Sequence, residues 1–467
     1  MHLADLDSRL PISLPGVSKR TRQVRWWLAR PIALGAAVLM AGAVIAATDP
    51  DWGGTEPRDI SHSPRNQVAQ PVIEAGSSGR MVVVWSDQWS EGGSRDIYVT
   101  SSGDNGHTWS LATVVTQTAD ESNLPGAVIV GDQVFVTWCD QAGTYPNTAI
   151  IYEAEVVSHA VRRIPGPPSS TSTRPSLAAS ASRLHVVFSG GAFNQPDIRH
   201  AMRPLTATVW PTATVVYTHT GTGSWYPMLA IGPEGNTLHM VWEERALQLR
   251  RAIMYMRGVV NGNSVDWTYP ITLSMGITLS VWPAIAADSG GDLHVVWGEQ
   301  VGAGQVYERK HYMRYTRYEE ASGTWSAAVR IDPEPVNVNQ LYPTDSAPSL
   351  TLLEKDGQVT VCVAWHGFRE GEQVEPAEEV LLSCSRDGGH SWARPQNMSR
   401  SAGEYAISIR PSIVFDALGQ LHGVWQERTG EYALFDYQVY HTYALSQVFL
   451  PLVQKRAYGG SGYFYRW

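Results

Sequence analysis

The chain has 467 residues, only 17% of them charged, and a formal net charge of −9, which makes a poor phosphate binder and argues against nucleic acid as a partner. Eighteen tryptophans and 42 glycines are the mixture of a Gly-punctuated all-β chain and argue against a helical one. The three cysteines, Cys139, Cys362 and Cys384, form no metal spacing, and no Cys/His cluster or H-x-x-H pair occurs, so no metal and no cofactor is expected.

Residues 1–31 carry six basic and two acidic side chains, a net of +4 that leaves −13 for the remainder. This basic run precedes sixteen uncharged, mostly apolar residues, 32–47. It predicts an export signal, with a signal-peptidase site at Val44-Ile45-Ala46. An uncleaved membrane anchor, lengthened by Trp26-Trp27-Leu28-Ala29, is the open alternative. Either way the basic end stays in the cytoplasm and the bulk lies outside it, secreted or membrane-anchored. Residues 48–57 form a polar linker and 447–467 a C-terminal tail; the fold is expected over 58–446.

Within 58–446 a unit repeats seven times. Pro71, Pro125, Pro175, Pro227, Pro283, Pro348 and Pro411 each precede a short apolar run. A second run follows and ends on Trp85, Trp138, Phe188, Trp242, Trp297, Trp365 and Trp425. A third run comes next, and a fourth often opens with Trp, as at Trp109, Trp210, Trp267, Trp325 and Trp392. Four short strands every 50 to 65 residues predict a β-propeller of four-stranded blades, seven by repeat count, with six as the alternative. Proline suits the first position of the innermost strand, where its missing N–H breaks no ladder. The seventh unit lacks a fourth strand. Residues 58–63 or 448–453 are the candidates to supply it. Cys362 and Cys384 fall on neighbouring strands of one unit; a bridge and two buried thiols both fit, the thiols being the plainer reading.

Two octets share the pattern S-x-D-x-G-x-x-W: Ser102, Asp104, Gly106 and Trp109, then Ser385, Asp387, Gly389 and Trp392. An Asp in a tight turn accepts backbone N–H groups, and Gly allows the positive φ. The octets resemble the Asp-box, or BNR repeat, of the sialidase-type β-propellers. They lie between strands three and four, so they share an end with the turns between strands one and two. The longer, unequal loops then fall at the opposite end, where binding is expected.

At that end an acidic residue follows the strand-two aromatic in five units: Asp87, Asp140, Glu244, Glu299 and Glu427. These are the candidate catalytic acid/base groups, although a structural role for a recurring carboxylate is the competing reading. Trp89, Trp225, Tyr226, Trp282 and Tyr342 are candidate platforms for sugar rings. Arg174 and Arg410 stand immediately before strand-one prolines. The sialidase resemblance implies mouth arginines that clamp a substrate carboxylate, with Arg245 or Arg428 as a third, and a Tyr–Glu nucleophile pair with an Asp acid. It also implies six blades and an F-R-I-P opening, and both are departures: Arg163-Ile164-Pro165 lies at the end of unit two. Tyr437 and Tyr440 are the tyrosines in the unit where a nucleophile would be sought. His185, His239, His294 and His422 share one slot that elsewhere holds Val82, Phe135 and Cys362, so they are expected to be packed rather than catalytic. The expectation is an exported propeller that binds extracellular glycans, with exo-glycosidase activity left open. The alternative is a non-catalytic cell-surface scaffold for a protein or polysaccharide.

Overall fold

A computed structural model describes residues 53–116, 120–142, 148–169, 174–192, 195–246, 251–274, 279–301, 310–332, 336–337, 347–367, 378–401, 407–428 and 436–445. The signal or anchor segment, half of the linker and the tail, including 448–453, lie outside them. The described residues are all-β, with no helix. Each unit is an antiparallel meander. Unit one, for example, runs Ala69–Ala75, Met81–Asp87, Asp96–Ser102 and Thr113–Val114, paired in that order. Units four and five merge into one sheet because Arg251 bridges Leu279 in parallel. Unit seven is completed from the other end of the chain: Arg58 and Asp59 pair with His441 and Tyr440.

The core lies between sheets, as expected for sheets too thin to bury both faces alone. Seven apolar clusters each join one unit to the next. One of them packs Ile73, Met81 and Trp85 of unit one against Ile409, Val424 and Val439 of unit seven. The strand-two tryptophans Trp85, Trp138, Trp242, Trp297, Trp365 and Trp425 are fully buried in these seams. At roughly 200 Å² of surface per indole they are the largest single apolar contribution at each seam.

The two octets fold alike. Ser102 Oγ donates to Asp104 Oδ1 (2.7 Å) and accepts from Gly106 N (2.9 Å), while Asp104 accepts from Thr108 N and Oγ1 (2.9 and 2.6 Å). Ser385, Asp387, Gly389 and Ser391 repeat the set. Those bonds hold Asp104 down to about pKa 2. The turns are also blade-to-blade contacts. A Cβ on Gly106, at φ +76°, would stand 2.8 Å from His422 of unit seven, and one on Gly389, at φ +93°, would overlap the Tyr315 hydroxyl of unit five. Arg58 donates to Gly106 O and His107 O, and Arg317 donates to Gly388 O, across the same seams. Asn105 N reaches Gly79 O and Gly388 N reaches Val359 O, so the octets share an end with the strand-one-to-two turns.

The slot histidines are buried and bonded to strand three: His185 to His200 (3.2 Å), His239 to Tyr255 (2.9 Å), His294 to Tyr315 (2.7 Å) and His422 to His441 (3.1 Å). Cys362 and Cys384 stand directly opposite each other on adjacent strands and form a disulfide, in place of the two thiols taken as the plainer reading. Cys139 is free and buried.

One expectation about the prolines is corrected. In five units the proline is not the first strand residue but sits inside the strand at a register shift, as between Ala69 and Val72 or Trp225 and Met228. A bulge already interrupts the ladder there, so the missing N–H removes nothing.

Candidate functional site

The residue before each of those bulge prolines is forced into the left-handed region. Gln70, Leu124, Tyr226, Trp282 and Arg410 have φ between 51° and 59°. Bulky side chains rarely adopt this conformation, and strain of this kind, about 1–3 kcal/mol per residue, persists where the surrounding structure imposes it. A bulge also re-aims a side chain. In five units the effect is convergence: Gln70, Leu124, Tyr226, Trp282 and Arg410 line a single pocket, together with Pro71, Pro283, Pro348 and Pro411 and with Arg174 and Ala347, the pre-proline residues of the two units without a bulge. The pocket has a volume of about 70 Å³ and shares Arg174, Met228, Ala347, Pro348 and Pro411 with a deeper cavity of about 240 Å³ walled by the innermost strands. That volume has room for on the order of ten waters, and the ring of pre-proline residues lies at its mouth.

Part of the ring is cross-braced. Gln426 Oε1 accepts from Gln70 N (2.9 Å) and Arg410 Nη1 (3.2 Å), and its amide donates to Val68 O (3.0 Å). Gln70 Oε1 accepts from Leu124 N (2.8 Å), and His366 Nδ1 accepts from Arg410 N (3.4 Å). Below the ring, Ser176, Ser349 and Ser412 each accept a backbone N–H from the next unit, at 3.1, 2.9 and 3.2 Å. Glu74 is the one carboxylate among the described residues lining this cavity. Its surface is half-buried but protein surrounds it, and burial raises its pKa to about 8.

The predicted site residues thus divide. Arg174, Arg410, Tyr226 and Trp282 meet at the mouth. The five carboxylates do not line it; each is buried and engaged within its blade. Asp140 accepts from Ser122 Oγ (2.6 Å) and Trp138 Nε1 (2.7 Å). Glu244 accepts from Ser224 Oγ (2.5 Å) and Trp242 Nε1 (3.2 Å), and Glu427 from Ser408 Oγ (2.6 Å) and Trp425 Nε1 (2.7 Å). In all three the serine lies directly opposite the carboxylate on strand one. The carboxylate therefore ties strand one, strand two and the core tryptophan together. Asp87 accepts from Gln88 N and Trp89 Nε1, and Glu299 takes Arg314 Nε. Burial pushes the pKa values of Asp87, Asp140 and Glu427 up despite these bonds.

Trp225 is buried beneath Arg245, whose guanidinium lies 4.3 Å from the indole and pairs with Glu243 (2.7 Å). Trp89 lies on the loop beyond strand two of unit one, and Tyr342 falls outside the described residues. Tyr437 and Tyr440 belong to the third strand of unit seven and Arg163-Ile164-Pro165 to the outermost strand of unit two. Gln70, Leu124 and Ala347 were missed, although the signal was present: each precedes an aligned proline, as Arg174 and Arg410 do. Among the described residues no group of His, Cys, Asp and Glu could hold a metal.

No protein-family model and no curated protein matches the sequence. Solved structures do match by shape. An ulvan lyase of a polysaccharide lyase family is similar over 82% of this chain and 95% of its own, at 11% identity and a TM-score of 0.54. The Trypanosoma rangeli sialidase is similar over 85% of this chain, at 11% identity and a TM-score of 0.46. This chain spans 58% of that sialidase's length. A Dyadobacter fermentans protein of unknown function is similar over 84% of this chain and 98% of its own, at 10% identity and 0.49. The shared property is the fold, an all-β, propeller-like arrangement of four-stranded antiparallel sheets.

Proposed function

We propose that this is an exported seven-bladed propeller of Asp-box type whose axial mouth binds an anionic glycan. The convergence of the pre-proline residues carries the reading. It gathers two guanidiniums, Arg174 and Arg410, with two aromatic rings, Tyr226 and Trp282, from units far apart in sequence. Guanidinium forks suit sugar carboxylates or sulfates, and aromatic faces suit sugar rings. The seven inter-unit clusters support the blade count, and the Cys362–Cys384 bridge supports an oxidising compartment. The ulvan lyase was solved bound to a glucuronate-containing glycan; an acidic glycan is the class carried over to this chain.

Binding is the reading favoured over sialidase-type hydrolysis, because the five carboxylates aligned after the strand-two aromatics are engaged in blade bonds away from the mouth, which leaves Glu74 without a second carboxylate among the described lining residues. Titration with a glucuronate or sialate oligosaccharide and its uncharged counterpart tests it. Arg174→Ala and Arg410→Ala should each weaken acidic binding about 10- to 100-fold, the worth of one charge-assisted hydrogen bond of ~1.5–3 kcal/mol. Unchanged affinity in both variants refutes the reading. Release of sialic acid from a sialoside, lost in Asp140→Asn, would restore the hydrolase.

A further inference from the structure

One aromatic at the mouth end is not used by the ring. Trp89 is 36% exposed, yet it is held in place on one face and along its edge. Its indole stacks on Tyr98 at 4.5 Å and 12°, and Tyr98 in turn stacks towards the buried Trp85 at 6.3 Å and 21°. Trp89 Nε1 donates to Asp87 Oδ2 (2.7 Å), and Asp87 Oδ1 accepts from Gln88 N (2.8 Å). The Gln88 amide then closes the loop by donating to Gly93 O. A large apolar ring fixed at the surface, with its polar edge already satisfied, offers a flat apolar platform and nothing else.

Its position relates it to the mouth. Ala69 pairs with Ser86, so the loop carrying Trp89 leaves the sheet at the end where Gln70 enters the ring. Tyr98 lies on strand three, two strand spacings or roughly 10 Å out from strand one. That is too far for one sugar ring to touch both. Half-buried Arg95 follows on the loop after Trp89 and donates to Gln67 O (2.6 Å). Burial lowers its pKa, Glu121 and Asp87 oppose that, and the Arg410 guanidinium adds to it. Arg95 therefore lies within the field of both Asp87, which holds Trp89, and Arg410, which lines the mouth.

We infer that the mouth and the Trp89 platform are two subsites for one chain, an oligosaccharide with an acidic residue at the mouth and an uncharged residue stacked on Trp89. The charge assignment follows from the neighbours: Arg174 and Arg410 favour an anion at the ring, whereas Asp87 beside the indole disfavours one there. The inference rests on the anionic-glycan reading and extends it from a single sugar to a polymer.

Calorimetric titration with glucuronic acid and with a hyaluronan tetrasaccharide, in which glucuronate alternates with an uncharged sugar, separates the two. Trp89→Ala should weaken tetrasaccharide binding roughly tenfold and leave glucuronate binding unchanged. Trp89→Phe, which keeps a ring on Tyr98, should recover most of the loss. Arg410→Ala should weaken both ligands. If Trp89→Ala binds the tetrasaccharide like the parent while Arg410→Ala does not, the second subsite is refuted and the mouth stands. If neither probe binds, or Arg410→Ala changes neither, the mouth reading falls and this inference with it.

Discussion

The two ends of each blade solve opposite problems. At the turn end, Ser–Asp bonds and slot histidines brace each blade internally, while octet glycines and the arginines Arg58, Arg203 and Arg317 meet the neighbouring blade, and the two octets recur with the same chemistry. The glycine of each octet is there because a neighbouring His422 or Tyr315 occupies the space of its Cβ. At the mouth end, the position before the strand-one proline recurs in every unit but is filled by Gln, Leu, Arg, Tyr, Trp, Ala and Arg. A position that every blade must fill alike serves packing. One that geometry repeats while chemistry varies is free to serve a ligand.

The comparison predicts that turn-end changes reduce stability and mouth changes reduce binding. The largest effect should come from Glu153→Ala. Glu153 is fully buried with Arg203 (3.1 Å), which itself caps Pro204, Leu205 and Ala207 carbonyls where unit three lacks an octet. Stranding that guanidinium should lower unfolding stability by about 3–5 kcal/mol in denaturant titration. Gly389→Ala should follow, at about 3 kcal/mol or more, and exceed Gly106→Ala because its overlap with Tyr315 is closer. Replacing both Cys362 and Cys384 by Ala should lower stability by about 3 kcal/mol, by the loop-closure argument. Arg174→Ala should be the smallest, at about 1 kcal/mol or less, since Arg174 is half-buried at the pocket and belongs to none of the inter-unit apolar clusters. A large loss there would break the comparison.

Acid should separate the ends. Burial lowers His185 and His239 to about 4, His200 to about 3, and His441 well below its ordinary value. Their folded values lie below 6.5, so their contribution is complete above about pH 6.5 and is lost as pH falls towards 4. Asp87, Asp140 and Glu427 have raised values, so their contribution is present at low pH and lost as pH rises through those values. Hydrogen exchange at pH 4.5 against pH 7 should therefore show the histidine-bearing turn end loosening before the mouth. His239→Phe should flatten the pH dependence, since the slot accepts Phe135 in unit two, while costing about 1–2 kcal/mol for the unpaired Tyr255 hydroxyl.

Much of this was legible in one dimension. The aligned prolines and aromatics place the strands, the octets assign the turn end, and the missing strand of unit seven leaves two candidates, of which the structure pairs Arg58 and Asp59. Arg174, Tyr226, Trp282 and Arg410 were visible as mouth residues. The carboxylates were harder: Asp140 and Glu427 recur as a catalytic ring would, and nothing in the linear pattern shows that Ser122 and Ser408 stand opposite them. Trp225 and Trp282 are equivalent as letters, yet one is covered by Arg245 and the other lines the pocket.

By itself, then, the sequence determined the repeat, the all-β class and which end of each unit carries the octets and which the long unequal loops, because periodic apolar runs and turn residues act locally. Which side chains line the pocket at the loop end was decided by tertiary structure. Closing the ring brings the bulges of five units together, and each turns one residue towards a common axis, where Arg174 and Ala347 of the two unbulged units also arrive. That convergence depends on the backbone path of every unit together, and no single unit contains it.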